Sequence, residues 1–87
     1  MESIYVRKEM AQKAFQYFTD LLVSNGLGDK KVNFDDATEE ELEGSNYAGQ
    51  EIVVISIDDD QLDGFEEDEV MELRDDVAMQ YGVHIPD

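Results

Sequence analysis

The distribution of apolar and polar positions marks two helices and two strands. From Lys8 to Ser24, the apolar residues Ala11, Ala14, Phe15, Phe18, Leu21 and Leu22 recur three and four apart. That spacing lays one stripe along an amphipathic helix. Met10 and Tyr17 widen the stripe, while Lys13, Gln16, Thr19 and Asp20 fall mostly opposite. Such a face is broad enough to pack on a sheet. Asn25-Gly26 tolerates a left-handed backbone and ends the helix. Ahead of it, Ile4-Tyr5-Val6 suits either a short strand or the first helical turn, and the reading favours the helix.

After a loop over Leu27-Gly28-Asp29-Lys30, the alternation in Lys31-Val32-Asn33-Phe34-Asp35 predicts a short, half-buried strand. Thr38 and Glu41 have capping-box spacing, which predicts a helical turn through Leu42. Residues 43–49, rich in glycine and small polar residues, break regular structure. Ile52 to Ile57 is the strongest strand signal, a β-branched run that predicts a central strand covered on both faces or nearly so. Asp63 and Glu66 form a second capping box, opening a helix with Val70, Leu73, Val77 and Tyr81 on its inner stripe. Met71 and Ala78 are expected beside that stripe. Gly82 ends the helix, and Val83-His84-Ile85-Pro86 is expected as an extended tail. The expected fold is α+β, one small domain over residues 1–87. In it two helices pack on a two- or three-stranded antiparallel sheet.

Composition changes this picture mainly through charge. The 87 residues hold 23 acids and six Lys or Arg, a net charge of −17. Residues 1–34 are nearly neutral, whereas residues 35–76 carry eighteen acids and one base, Arg74. The 41% hydrophobic content argues against a disordered acidic tail. With no cysteine, there are no disulfides or thiolate metal sites, which suits a reducing compartment. No targeting segment or membrane-spanning run is visible, so a cytoplasmic location is expected. So high a negative charge disfavours direct contact with nucleic acid or anionic membranes.

The densest acidity lies in the second long helix. Glu66, Glu69, Glu72 and Asp76 recur three or four apart, with Asp68 and Asp75 beside them. Acids in the first turn are favoured by the helix dipole, but Asp75 and Asp76 approach its negative end. Like charges at these spacings cost a few tenths of a kcal/mol per pair. Carboxylates one turn apart, about 5.4 Å, recur at spacings comparable to phosphates. The expectation is therefore a non-enzymatic binding protein whose carboxylates occupy the basic nucleic-acid groove of a target protein or nuclease complex. Its contact residues would be Asp58, Asp59, Asp60, Asp63, Phe65, Glu66, Glu69, Glu72, Asp75 and Asp76, with Glu39 and Glu40. Phe65 and Tyr47 are candidate anchors, although satellite core packing weighs slightly more for both.

In charge and size, though in no motif, the chain resembles the acidic nucleic-acid mimics that phages use against restriction or CRISPR systems. Two other accounts fit the same electrostatics. One is an acidic protein–protein interaction module, of nuclease-immunity or antitoxin type. The other is an acidic surface serving solubility or high salt, with weak calcium or magnesium binding at Asp58–Asp63. Asp59-Asp60-Gln61-Leu62-Asp63-Gly64 partly follows an EF-hand loop, but position twelve is Val70 instead of a bidentate glutamate. No dedicated metal site or cofactor is expected. No nucleophile motif or phosphate loop is present, and His84, the single histidine, has no partner in sequence. The chain is read as a non-enzyme.

Overall fold

The computed structural model describes residues 2–83. Its elements run β1 (Glu2–Arg7), α1 (Lys8–Ser24), β2 (Asn33–Asp36), α2 (Glu39–Leu42), β3 (Ile52–Ile57) and α3 (Gly64–Tyr81). A 3-10 turn over Asp59–Gln61 joins β3 to α3. The three strands form an antiparallel sheet in the order β1-β3-β2, so the Ile/Val run is central as its composition predicts. Two helices packed on a three-stranded antiparallel sheet make a small α+β domain.

Ile4-Tyr5-Val6 is a strand and not the helical turn the sequence favours. Strand and helix meet without a loop: Arg7 is extended, at φ −66° and ψ 143°, and Lys8 is already helical. No side chain caps this start. Instead the sheet satisfies one of the free amides at the helix N-terminus, since Lys8 N–H donates to Glu51 O at 3.1 Å. The antiparallel register decides the matter, pairing Ile4 with Ile55 and Val6 with Val53 on one face. Both are buried against α1 and α3, and that burial agrees with the strand preference of β-branched and aromatic residues.

The core lies between this face and the two helices. Ile4, Val6, Val53, Ile55 and Ile57 from the sheet meet Ala11, Ala14, Phe18 and Leu22 from α1, and Val70 and Val77 from α3. α1 stops in a Schellman motif. Leu27 N–H reaches Leu22 O at 2.7 Å and Gly26 N–H reaches Val23 O at 3.2 Å, with Gly26 at φ 76°. Leu27, expected in the loop, is thereby carried into the core beside Leu22. On the opposite sheet face Ile52 is buried and Val54 half-buried. Arg7, beside Ile52 on that face, stacks over the Tyr47 ring at 5.6 Å. Ile52 and Leu42 are both buried outside the helix-side cluster.

β2 begins two residues later than the alternation predicts. The Gln61 side chain takes the place of a ladder partner at Lys31, accepting from its N–H at 2.8 Å and donating to its carbonyl at 2.9 Å. At the other end of α3, Gly82 bridges to Val6, and Val83 N–H donates to Tyr5 O at 2.8 Å. Gly82 is needed for close approach, because a Cβ there would lie 2.7 Å from Ala78 O. The chain past α3 thus starts along the outer edge of β1. His84, Ile85 and Pro86 of the expected tail lie outside the described residues.

Candidate acidic binding surface

β3 divides the acidic residues that the sequence groups together. Asp36 pairs with Val53, and Ala37 N–H donates to Ile52 O, so β2 leads Glu39 and Glu40 out at the start of β3. Both are exposed and line a shallow open depression with Glu43, Gly44, Ala48 and Gly49. Asp58 and Asp60 follow the other end of β3, a six-residue strand that spans about 20 Å. The Asp59 side chain lies outside the described part of the structure. The helix α3 carries the third group. Glu39 and Glu40 therefore form a patch of their own, separate from the Asp58–Asp76 residues.

Several of the proposed contact carboxylates are engaged within the fold. Asp63 caps α3, accepting from Phe65 N–H at 3.0 Å and Glu66 N–H at 2.9 Å. Glu66 completes the capping box by accepting from Asp63 N–H at 3.2 Å. Its other oxygen meets Lys30 Nζ at 3.0 Å, and the same ammonium donates to Gln61 O at 2.9 Å. This hydrogen bond to Glu66 raises the Lys30 pKa above its ordinary value. Lys30 is thus a strap tying the loop after α1 to the start of α3. Asp58 accepts from Asn33 Nδ2 at 3.3 Å. Asp75 pairs with Arg74 at 2.6 Å, and Arg74 also donates to Ser3 O at 3.1 Å, anchoring α3 to β1.

Asp76 joins the two long helices. It accepts from Tyr17 Oη at 2.9 Å, and Tyr17 accepts in turn from Gln80 Nε2 at 2.8 Å. The hydrogen bond to Asp76 raises the Tyr17 pKa above its ordinary value. Asp76 therefore serves the α1–α3 contact, a role that its place in the acid row does not disclose.

Asp68, Glu69 and Glu72 differ from all of these. They are exposed, and no side chain among the described residues pairs with them. Their spacing places Asp68 and Glu72 on the side of α3 away from Val70 and Val77, with Glu69 at its edge. That outer side also holds Phe65, 90% exposed, and Met79, 88% exposed. Satellite core packing is thereby ruled out for Phe65. Tyr47 is half-buried under Arg7. Met71, expected beside the inner stripe, is 42% exposed on the helix flank. Met79 is not among the contact residues the sequence suggests, although it lies fourteen residues beyond Phe65 and hence on nearly the same line of the helix.

Among the described residues, no group of three or more His, Cys, Asp or Glu side chains converges as a metal ion would require. At the EF-hand-like stretch, Asp63 is taken up by the helix cap and Asp58 faces Asn33. The loop enters α3 from a strand and a 3-10 turn, where an EF-hand has a preceding helix. Among the described residues, no helix is long and apolar enough to cross a membrane. Comparison of the chain with known protein families, curated proteins and solved structures finds no match.

Proposed function

We propose that the chain is a non-enzymatic acidic binding protein that inhibits a nucleic-acid-binding protein by occupying its basic groove. The observation that carries this reading is the row Asp68, Glu69 and Glu72, exposed and unneutralised on the outer side of α3. Along the helix axis Asp68 and Glu69 are about 1.5 Å apart and Glu72 lies about 4.5 Å further on, so three carboxylates fall within about 6 Å. Successive phosphates of one DNA strand advance about 3.4 Å, so the row has comparable charge density. A groove lined by Lys and Arg gains by pairing with it, and counterions leave both partners. Steering by the net charge of −17 makes association fast and salt-sensitive.

A surface kept acidic only for solubility has no use for a phenylalanine and a methionine about nine-tenths exposed in its midst. This favours a specific partner over adaptation to salt. Restriction and CRISPR nucleases are the target class that the mimic reading implies, acting in the cytoplasm of the host cell.

The test is capture from cytoplasmic lysate on immobilised protein at low salt, eluted with a sodium chloride gradient. The expected result is one nucleic-acid-binding protein held past physiological salt and displaced by added DNA or RNA. The triple variant Asp68→Lys, Glu69→Lys, Glu72→Lys should lose it while staying folded, with a melting temperature no lower than the parent's. A mixture of basic proteins lost below physiological salt would replace mimicry with a generic polyanion.

A further inference from the structure

On the reading proposed above, we infer that the outer face of α3 docks as a helix in a groove. The groove belongs to a basic protein and holds two apolar pockets about 21 Å apart, one for Phe65 and one for Met79. These residues stand fourteen apart, and Glu72 lies midway, seven from each. Fourteen residues advance about 21 Å and return to nearly the same side of a helix, so the three form one ridge. Asp68 and Glu69 flank it. Anchors at such helical repeats are the usual means by which a helix fills a groove.

Each alternative occupant fails on charge or on the apolar ends. A second copy would bring another −17 to the face, and anionic lipid or nucleic acid is repelled in the same way. A purely apolar groove would bury Asp68, Glu69 and Glu72 unpaired, at prohibitive cost. A bare polycation would leave Phe65 and Met79 in water. A basic protein groove with apolar pockets satisfies both kinds of residue. Beside Phe65, a shallow open depression of about 560 Å³, lined also by Asp63, Gly64 and Asp68, has room for an Arg or Lys of the partner. Its stem would lie on the Phe65 ring and its charge would meet Asp68.

Site-specific photo-crosslinking tests this. Benzoylphenylalanine is placed singly at Phe65, at Met79 and, as a control, at Val23, which is 66% exposed on α1. Each protein is irradiated in lysate at physiological salt. Positions 65 and 79 should give adducts with one and the same basic protein, on peptides rich in Lys and Arg, and position 23 should give none. With that protein purified, the double variant Phe65→Ala, Met79→Ala should bind it about a hundredfold more weakly or worse. Binding to poly-L-lysine, a probe of charge alone, should be unchanged.

The inference is overturned if positions 65 and 79 give no adducts, mark different proteins, label as position 23 does, or join two copies of this chain. It is also overturned if the double variant binds the partner normally. In that last case the charge-reversal variant separates the two ideas. Loss of the partner by that variant alone leaves the acidic reading standing without its anchors. Retention by both removes the acidic reading as well.

Discussion

The helices α1 and α3 are 17 and 18 residues long and pack side by side on the same face of the same sheet. Their inner sides do the same work, with Phe18 and Leu22 of α1 and Val70 and Val77 of α3 fully buried. Their outer sides differ. The outer side of α1 mixes Lys8, Glu9, Lys13, Gln16 and Asp20, a neutral surface. That of α3 has three unpaired carboxylates and two large exposed apolar residues. α1 meets the same structural demand with only Val23 exposed among its large apolar residues and with no such row of acids, so the fold does not require the outer face of α3. What α3 shows to solvent is surplus to folding, and surplus of this kind is where function is to be sought.

The sharpest way to break this comparison uses one residue type in both places. Phe18→Ala should destabilise the domain by about 3–5 kcal/mol in urea denaturation, because it empties a fully buried site. Phe65→Ala should stay within about 0.5 kcal/mol of the parent. A cost at Phe65 resembling that at Phe18 would return the outer face to a structural role.

The second contrast concerns how the helices begin. α3 has a complete capping box, whereas α1 starts from β1 with no side-chain cap. Asp63→Ala should cost about 1 kcal/mol, read as a lower urea midpoint with unchanged slope. A change at Arg7 should leave the start of α1 intact, since Lys8 N–H is held by the sheet. Third, the neutralising variant Asp68→Asn, Glu69→Gln, Glu72→Gln should gain a few tenths of a kcal/mol per like-charge pair removed. The parent should melt higher as sodium chloride rises, and this variant should respond less. Equal salt slopes would mean that the repulsion lies elsewhere in the chain.

The smallest effect is in alkali. Tyr17 and Lys30 both have folded-state pKa values raised above their ordinary values of 10.0 and 10.5. Each favours the protonated form in the native state, so its stabilisation is complete below those values. It is lost as pH rises through the folded-state pKa. Stability should therefore fall above about pH 10, and Tyr17→Phe should remove part of the fall. A profile unchanged by that substitution would detach the α1–α3 hydrogen bond from the alkaline loss.

Strong local signals carried most of the fold in the sequence. The 3.6-residue stripe of α1, the Ile/Val run of β3 and the Asp63–Glu66 box each act over neighbouring residues and are legible there. Elements fixed by distant partners were not. Ile4-Tyr5-Val6 takes its place and register from Ile55 and Val53 beside it, and β2 starts late because Gln61, thirty residues on, occupies Lys31. The acidic surface was legible as charge but not as architecture. Spacing alone could not separate Asp68, Glu69 and Glu72, which are unpaired, from Asp63, Glu66, Asp75 and Asp76, which the fold uses. Met79 is legible from periodicity, since the stripe opposite the core runs on to it at the end of α3.

The two edges of the sheet are guarded by different means, and this bears on how the protein can fail. Along β1, the chain at Gly82 and Val83 takes up part of the free edge. Along β2 no strand among the described residues does so, and Asp35 and Asp36 stand there exposed. A guard made of backbone persists in acid, but one made of charge disappears as the pH approaches the isoelectric point near 4.1. Fibril growth in acidic solution would then start from β2, and a lysine placed in that strand would delay it.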